Sequence, residues 1–407
     1  MTGKYVWAGV TILVGALVAE AGAVELRPKE QLGKLLFFDK TLSQNKNQSC
    51  GTCHAPEVGW TGQDEEINTH GGVYEASVPG RFGNRKPPSA AYAAPTPVLR
   101  REARDGGIFV GGSFWDGRAT GSRLGSPAAE QAQGPFLNPL EHAIPDAADL
   151  VRRVAVAPYG DLFKQVWGPA AFDDTHKAYD YIGLSIAAFE ASREVSAFSS
   201  KFDAYLAGKA MLTAQEKRGL TLFEGAGTCV KCHTSRVGPK GEPPLFTDFT
   251  YDNIGMPRNP DNPFYYNKTI NPLGGAWVDL GLGGFLATTK EFKQYARQAM
   301  GKHKVPTLRN VDKRPSETFV KSYGHNGYFK SLKEIVHFYN TRDALPILTD
   351  DSQKPGVDGW PIAEVAMNLK SEDMGNLRLS PQDEDNIIAF LKTLTDGYFQ
   401  PEAPKTP

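Results

Sequence analysis

Apolar residues recur at helical spacing in several short segments of the chain, while clear alternation of apolar and polar residues is scarce. In LSPQDEDNIIAFLKTL, Ser380 is a predicted N-cap and Pro381 the first helical residue. The apolar face of this helix comprises Ile387, Ile388, Phe390, Leu391 and Leu394. In LTAQEKRGLTLF, Thr213 and Glu216 form a capping box before a second helix. Long Gly- and Pro-rich stretches such as GMPRNPDNPFYYNKTINPLGG separate the helices, so the pattern predicts a mainly α fold with long irregular loops.

The first residues, MTGKYVWAGVTILVGALVAEAGAVEL, combine Lys4, an apolar run and small residues at Ala19, Ala21 and Ala23. This order is typical of a signal peptide cut after Ala21 or Ala23. An uncleaved membrane anchor is the alternative, because the run approaches the ~20 residues that span a bilayer. No later segment is apolar enough to do so. We therefore expect residues 1–23 to be a signal peptide, and the mature protein to be exported without stable membrane insertion.

The composition excludes one class of partner. The 407 residues include 45 Lys and Arg and 46 Asp and Glu, which gives a net charge of -1. A chain of this length can form two or three domains with apolar cores. Nucleic acid is not an expected partner, because no excess of basic residues is present to neutralise phosphates.

All four cysteines lie in two copies of Cys-x-x-Cys-His, namely Cys50, Cys53, His54 and Cys229, Cys232, His233. In c-type haem attachment the two thiols bind the porphyrin and the adjacent imidazole binds iron, which explains the histidines. A four-thiolate zinc site would join the two pairs but leaves the histidines without a role. A redox disulfide suits an exported protein but leaves them equally unexplained. We therefore favour two covalently bound c-type haems.

The flanks of the two motifs resemble each other. LGKLLFFDKTLSQNKNQSCGTCH and KRGLTLFEGAGTCVKCH share a glycine, an apolar stretch ending in Leu-Phe, and a turn. We predict two mostly helical, cytochrome c-like haem domains that meet near residues 195–210. Residues 24–200 form the N-terminal domain and 201–407 the C-terminal domain, whose last helix is free to pack back on the first domain.

The segment between the motifs concentrates side chains that suit peroxide chemistry. SFWDGRATGSRLGSPAAEQAQGPFLNPLEHAIP contains Trp115, Asp116, Arg118, Gln131, Pro135 and Glu141. An electron carrier needs both irons saturated by protein ligands, whereas an enzyme needs an open iron face beside acid–base groups. Gln131 and Glu141 are suited to orienting peroxide and moving its proton, and Trp115 to relaying an electron. A solvated helix face and a core indole are the alternative interpretation of these residues.

Along nearly its whole mature length the chain resembles the bacterial di-haem cytochrome c peroxidase family, including its MauG branch. The matching segments are LGKLLFFDKTLS, both Cys-x-x-Cys-His motifs, FWDGRA, EQAQGPFLNPLEH, KVPTLRNV and SYGHNGYFKSLKEIVHFYN. The resemblance implies that the N-terminal haem reacts with hydrogen peroxide and the C-terminal haem transfers electrons, with Trp115 between them. It also implies that Gln131, Pro135 and Glu141 are catalytic residues at the first haem.

The distal ligand of the C-terminal haem distinguishes the branches of this family. Peroxidases have methionine there, whereas HNGYFKSLKEIVHFYN has Tyr339 at that position, as in MauG-like enzymes. The resemblance thus implies that His54, His233 and Tyr339 bind iron. A phenolate favours ferric and higher-valent iron. A core tyrosine is the alternative, since Ile335 and Val336 share an inward helix face with Tyr339.

A second histidine follows the first haem motif. Peroxidases carry at this spacing a histidine that binds the first iron in the resting enzyme, so His70 in NTHGG is a candidate iron ligand. MauG-like proteins lack that ligand. We favour an exposed loop histidine for His70.

Two further positions depart from the family pattern. The family binds an inter-domain calcium through an Asn side chain and two backbone carbonyls. Here RKPPSAAY has Lys86 at the Asn position, with Asn84 as a substitute and the carbonyls near Val320 and Ser322. Calcium binding is therefore in question, because the Lys86 ammonium can replace the cation. MauG has a surface tryptophan before its second haem motif, where this chain has Gly227.

These features predict a periplasmic di-haem oxidoreductase that reacts with hydrogen peroxide. The favoured function is MauG-like: oxidation of a side chain in a partner protein through a high-valent di-haem state. The alternative is a di-haem cytochrome c peroxidase that takes electrons from a small cytochrome or cupredoxin. A non-catalytic di-haem electron-transfer cytochrome is an alternative of another class.

Overall fold

The computed structural model describes residues 24–399, so the predicted signal peptide lies outside the described residues. Within them the helices are α1 (Pro28–Phe38), α2 (Cys50–Cys53), α3 (Glu65–Thr69), α4 (Pro127–Leu137), α5 (Ala147–Val156), α6 (Gly160–Trp167), α7 (Thr175–Glu190), α8 (Lys201–Leu206), α9 (Ala214–Glu224), α10 (Gly281–Thr288), α11 (Leu332–Thr341) and α12 (Pro381–Lys392). Two small antiparallel sheets pair β1 (Arg100–Glu102) with β2 (Ile108–Val110) and β3 (Tyr251–Asp252) with β4 (His303–Lys304). The predicted mainly α fold with long irregular loops is confirmed. None of the helices in residues 24–399 is long and apolar enough to cross a membrane.

The predicted helix starts are confirmed. The Glu216 amide donates to the Thr213 hydroxyl at 3.2 Å, and the Thr213 amide donates to the Glu216 carboxylate at 2.7 Å. At α12 the Ser380 hydroxyl accepts from the Asp383 amide at 3.1 Å, and Pro381 is the first helical residue. Both caps satisfy amide donors that the first turn of a helix leaves unpaired.

The N-terminal half is built around α7, which packs against α1, α4 and α5. Helices α1 and α7 cross closely at Gly33, where a Cβ atom would come 2.0 Å from the carbonyl oxygen of Ser185. Only glycine permits such an approach. The surrounding apolar core includes Leu36, Phe37, Phe136, Ile182, Ile186 and Phe189. This packing fixes α1 next to the segment that leads to Cys50.

The C-terminal half repeats this arrangement with other helices. Helix α9 packs against α12, and a Cβ atom on Gly219 would come 1.9 Å from the carbonyl oxygen of Asn386. The core here includes Leu222, Phe223, Phe246, Phe390 and Leu394. Gly33 and Gly219 are the shared glycines of the two motif flanks, so the matching flanks correspond to matching helix crossings.

The position of the C-terminal helix corrects one expectation. Helix α12 packs against α9 and α11 rather than on the N-terminal half, because Ile387 and Phe390 fill the second core. The chain just after the helix does reach the N-terminal half. There the Asp396 carboxylate accepts from the Tyr92 hydroxyl at 2.7 Å and from the Ser199 amide at 2.9 Å.

Buried ion pairs and hydrogen bonds join the N-terminal and C-terminal halves next to the FWDGRA segment. Arg85 donates to both carboxylate oxygens of Asp279 at 2.7 Å and to Asp116 at 2.6 Å. The Tyr251 hydroxyl donates to the Gly111 carbonyl at 2.6 Å. Such charge-assisted, bidentate bonds fix orientation as well as distance. They hold the FWDGRA segment between the halves.

Candidate functional site

A cavity of about 440 Å³ is lined by residues from both halves, and most of the predicted site residues meet there. It is lined by Cys50, Cys53, His54, Trp115, Gln131, Pro135, Glu141, Cys229, Cys232, His233 and Tyr339. His70 does not line it. The fold therefore brings both Cys-x-x-Cys-His motifs, the segment between them and the α11 tyrosine to a single site.

The first motif presents a fixed, neutral imidazole. Cys50 and Cys53 lie on the one-turn helix α2, directly before His54. The Nδ1 atom of His54 lies 3.1 Å from the carbonyl oxygen of Trp60. Because a carbonyl only accepts, Nδ1 carries the proton and Nε2 keeps its lone pair. Burial lowers the pKa of His54 to about 4, so the ring is neutral at physiological pH and able to bind a metal.

The second motif repeats this geometry. Cys229 opens a single 3-10 turn (Cys229–Lys231), which follows Thr228 in the left-handed region at φ 55°. The Nδ1 atom of His233 lies 2.9 Å from the carbonyl oxygen of Phe246, which again leaves Nε2 as the free nitrogen. Burial lowers the pKa of His233 as well. Two imidazoles with the same tautomer thus face the cavity from opposite halves.

The polar residues between the motifs converge on α4 and the turn after it. Ser126 caps α4, which carries Gln131 and Pro135. Glu141 follows in the turn, where the side-chain amide of Asn138 donates to its Oε2 atom at 2.7 Å. Burial raises the pKa of Glu141 above its ordinary value, while the hydrogen bond from Asn138 opposes the rise. A raised pKa is typical of carboxyls that act as general acid–base groups. Asn138 was not predicted as a site residue, although it lies within the quoted segment.

Hydrogen bonds to backbone groups fix both the side chain and the backbone of Trp115. Its indole Nε1 donates to the carbonyl oxygen of Lys86 at 2.8 Å, and its own carbonyl accepts from the Lys304 amide at 2.9 Å. The next residue, Asp116, is the partner of Arg85 and Arg118. Trp115 therefore lies where the ion pairs that join the halves border the cavity.

Tyr339 faces the cavity from α11, together with Ile335 and Val336, as the helical spacing predicts. Burial, followed by the nearby thiols of Cys232 and Cys229, raises the pKa of its phenol. Arg342 opposes this shift, and a further positive charge or hydrogen bonds to the phenol oxygen would favour a phenolate. The predicted set of second-motif residues therefore does meet in space.

His70 lies at the surface, away from the other site residues. Its Nδ1 atom lies 2.9 Å from the carbonyl oxygen of Glu66 and 3.4 Å from the carboxylate of the same residue. More than half of its side chain is exposed, at 59%. In this structure the chain does not bring His70 to the cavity.

Comparison with known proteins identifies the family. Residues 27–211 match the family model described as di-haem cytochrome c peroxidase. The chain is 34% identical to methylamine utilization protein MauG of Paracoccus denitrificans, covering 95% of this chain and 94% of that protein. It is 27% identical to cytochrome c551 peroxidase of Pseudomonas aeruginosa, covering 93% and 82%. The crystal structure of the diheme peroxidase BthA from Burkholderia thailandensis matches with a TM-score of 0.75 and 30% identity, covering 93% of this chain and 92% of that chain.

The chain belongs to the di-haem cytochrome c peroxidase family. The predicted family and the prediction of an oxidoreductase are thereby confirmed. Members of a di-haem family contain two haems. Because relatives are named both MauG and peroxidase, the finer activity is a separate question.

Besides the thiols and imidazoles, the positively charged side chains that line the cavity fit the haems of this di-haem family. Four lysines line it. Lys370 pairs with Asp252 at 3.7 Å and Asp373 at 3.3 Å, and the other three are Lys86, Lys304 and Lys321. Their ammonium groups donate to the Thr61 hydroxyl at 2.8 Å, the Gly112 carbonyl at 2.5 Å and the Asn310 carbonyl at 2.9 Å, respectively. Within residues 24–399 none of the three has a carboxylate at ion-pair distance.

The pKa values of these lysines point to a missing counter-ion. Burial lowers the pKa of Lys86 to about 8 and that of Lys304 to about 7, and holds that of Lys321 well below its ordinary value. Buried ammonium groups without a negative partner are costly. A haem bound in this cavity would bring propionate carboxylates, and these lysines could supply the positive charge opposite them. Lys304 opens the segment KVPTLRNV, but neither it nor Lys321 was predicted as a site residue, and their shared feature appears only in the folded chain.

The residues at the family's calcium position are occupied by other contacts. Besides Thr61, the Lys86 ammonium donates to the Pro87 carbonyl at 3.1 Å. The Asn84 carbonyl accepts from Asn262 at 3.0 Å, and the Ser322 hydroxyl donates to Asn68 at 2.9 Å. At Val320 the amide donates to the Glu65 carboxylate at 2.7 Å.

One other group of described residues has metal-ligand chemistry, namely Asp279, His303 and His325. Both Asp279 oxygens already accept from Arg85. The two imidazole rings stack at 3.5 Å with an interplanar angle of 10°. Since each ring nitrogen directs its lone pair within its own ring plane, two parallel rings do not converge on one ion. We therefore interpret this group as part of the ion-pair network.

Proposed function

We propose that this protein is a periplasmic, MauG-like enzyme that uses hydrogen peroxide to oxidise a side chain of a partner protein. The observation that carries the proposal is the position of Tyr339, whose phenol lines the cavity beside Cys232 and Cys229. The 34% identity to a protein named MauG supports it.

The haem-holding residues in this proposal are Cys50, Cys53, His54 and Cys229, Cys232, His233, with Tyr339 as a further iron ligand. The four thiols form thioethers to two c-type haems. When bound, the haems supply the redox chemistry that accepts oxidising equivalents from peroxide. The neutral state of both imidazoles supports their role as iron ligands.

Residues near the first motif handle the protons of peroxide. Glu141 would take a proton from one peroxide oxygen and return it to the other, which would leave as water. The electrons for cleavage of the O–O bond would come from the haems. Gln131 orients the peroxide by hydrogen bonding, and Pro135 limits the space for water. Removal of a general acid–base group of this kind typically slows a reaction by about 10²-fold or more.

Residues near the second motif set the redox balance. A Tyr339 phenolate is an anionic oxygen donor that favours an oxidised metal more than a methionine thioether does. Trp115 lies beside the ion pairs that join the halves, where it couples the two sites. Oxidation of a partner protein at a distance requires both features.

The proposal extends to the organisation of the chain. Residues 24–200 carry the peroxide-reacting haem and residues 201–407 the electron-transfer haem, after removal of residues 1–23 as a signal peptide. The Lys86 ammonium takes the place of the family's calcium. Its hydrogen bonds to Thr61 and Pro87 support this substitution.

A cytochrome c peroxidase that takes electrons from a small cytochrome or cupredoxin is the second candidate. It is favoured by Gly227, which stands where MauG has a tryptophan relay, and by the relative named cytochrome c551 peroxidase. A purely electron-transferring cytochrome has less support, because a buried carboxyl and a glutamine share the cavity with the first motif.

The two candidates differ in how the fully ferric protein responds to peroxide. We expect the native protein to react without a reductant, and Tyr339→Met to require prior reduction while the potential of its second haem rises. Tyr328→Met is the matched control, because Tyr328 lies in the same core but does not line the cavity. If the native protein reacts only after one haem has been reduced, the peroxidase interpretation replaces the MauG-like one.

A further inference from the structure

A second buried carboxyl lies in the first half of the cavity and has no role in the function proposed above. Glu190 is the last residue of α7 and lines the cavity with only 3% of its surface exposed. Its Oε2 atom is buried and has no hydrogen-bond partner among the residues described. Buried polar atoms are nearly always paired, so an unpaired carboxyl oxygen that faces a cavity calls for an explanation.

Charges on the neighbouring elements are engaged elsewhere. On the helices that pack against α7, Lys34 of α1 pairs with Glu194 at 2.6 Å. Glu130 of α4 accepts from the amides of 121, 123 and 124, and Asp149 of α5 pairs with Arg152 and Arg153. In the first half the cavity is also lined by the ionisable side chains of Cys50, Cys53, His54, Tyr74, Arg85, Lys86, Tyr92, Arg118, Glu141 and His142. Among the residues described, no cation lowers the pKa of the Glu190 carboxyl, since burial is the cause of its shift.

The absence of a counter-ion determines the protonation state of Glu190. Burial raises the pKa of its carboxyl to about 8, so the group is mostly protonated at neutral pH. After burial itself, Glu190 makes the largest contribution to the raised pKa of Cys50, so the two groups are close enough to interact. Cys50 is a haem-attachment residue in the proposed function. Glu190 is thus an uncharged acid next to the first haem position.

A change in the charge of the iron at the first haem position shifts the pKa of a nearby buried carboxyl. Oxidation of the iron adds one positive charge, and a positive charge in a poorly screened interior favours the ionised form of a nearby carboxyl. Among the residues described, no cation already lowers the pKa of Glu190 and masks the effect. Its proton affinity is therefore lower when the iron is ferric than when it is ferrous.

We propose that Glu190 is the redox-linked proton site of the N-terminal haem. When the ferrous iron gives one electron to a one-electron acceptor, the O–H bond of Glu190 breaks and its proton leaves to solvent. Reduction by one electron reverses both transfers, so charge in the cavity stays balanced. This inference rests on the proposed attachment of a haem to Cys50 and Cys53.

The test is an equilibrium redox titration of each haem at a series of pH values around 8, with redox mediators and without peroxide. In the native protein the potential of the first haem should fall as pH rises, because the ferric state binds fewer protons. The limiting slope for one proton per electron is about 59 mV per pH unit. Glu190→Gln should remove most of this slope and leave the second haem unchanged.

Glu194→Gln is the matched control, since this carboxylate follows the same helix but is paired with Lys34 outside the cavity. It should keep the native slope. A native slope in Glu190→Gln, with both haems present, overturns the inference. A protein that carries only one haem by mass spectrometry contradicts the proposed function instead, so the two failures are distinguishable.

An infrared measurement on the native protein covers the case in which Glu190→Gln does not fold. The redox difference spectrum should lose a protonated-carboxyl band on oxidation, with the expected shift in heavy water. The band should persist in Glu141→Gln, which separates the two buried acids. Absence of any such band from the native protein also overturns the inference.

Discussion

The two halves of the molecule build their haem positions alike and differ in what surrounds them. In each half a helix crosses its partner at a glycine, a Cys-x-x-Cys-His motif follows, and the histidine donates through Nδ1 to a backbone carbonyl. The first half then supplies Gln131, Pro135 and Glu141. The second half supplies Tyr339 from α11. The helix crossing at a glycine and the Cys-x-x-Cys-His motif are thus repeated in both halves. The residues packed around them differ and give the two sites different chemistry.

The electrostatic surroundings of the two histidines also differ in sign. At His54, the Lys86 ammonium adds to the effect of burial and lowers the pKa further. At His233, Asp248 and Asp252 act against burial and raise the pKa. Negative groups favour a more positively charged metal. Under the proposed function, this difference in charge would favour an oxidised iron more in the second half than in the first.

The largest expected effect comes from removing one attachment motif at a time. Cys50→Ala with Cys53→Ala should leave one covalent haem and abolish the reaction with peroxide. Cys229→Ala with Cys232→Ala should also leave one haem but retain peroxide binding in the first half. Mass spectrometry and stopped-flow absorbance measure the two properties. Two covalent haems in either variant, or full peroxide reactivity in the first, would contradict the assignment of roles to the halves.

Next in size is the loss of the acid–base group in the first half. Glu141→Gln should slow the reaction with peroxide by about 10²-fold or more, because an amide cannot accept the proton. Both haems should remain bound. Glu57→Gln, an exposed carboxylate close to the first motif, serves as the control. Unchanged stopped-flow rates in Glu141→Gln would mean that another group moves the proton.

A smaller effect should appear in the pH profile. Glu141 acts as a base only when ionised, so the rate should fall as pH falls through its pKa, which burial raises. Asn138 donates to Glu141 and lowers that pKa. Asn138→Ala should therefore raise the pKa and move the acid limb of the profile to higher pH. A limb that stays in place or moves to lower pH would argue against Glu141 as the titrating group.

The smallest expected effect concerns His70. Because its side chain is exposed and outside the cavity, His70→Gly should change neither the resting spectrum nor the peroxide rate. We expect a high-spin ferric signal from the first haem in the native protein at rest. A low-spin spectrum at both haems, which turns half high-spin in His70→Gly, would show that the loop carries this histidine to the iron.

Much of the candidate site could be predicted from the sequence, because its parts are formed by residues close together in the chain. The two Cys-x-x-Cys-His motifs, the Thr213 and Ser380 caps and the helix face of Tyr339 each depend on residues a few positions apart. The order of residues in such a segment is enough to predict its geometry. The matching glycines before the two motifs likewise predicted a repeated arrangement.

The packing partner of the C-terminal helix could not be predicted from the sequence in this way. Its apolar face is clear in the sequence, but an apolar face does not specify its partner. The partner is decided by Gly219 on α9, which lets the backbone of Asn386 approach closely. Likewise, the spacing of His70 from the first motif does not reveal that its ring turns towards Glu66 at the surface.

By itself the sequence determined which residues form the two Cys-x-x-Cys-His motifs, where helices α9 and α12 start, and which family the chain resembles. These properties follow from chemistry between near neighbours in the chain. Only the tertiary structure decided that, within residues 24–399, Lys86, Lys304 and Lys321 share a cavity without carboxylate ion pairs, and that the Glu190 Oε2 atom is buried at this cavity without a hydrogen-bond partner. Burial and net charge at a point are sums over segments distant in sequence, so no local pattern contains them.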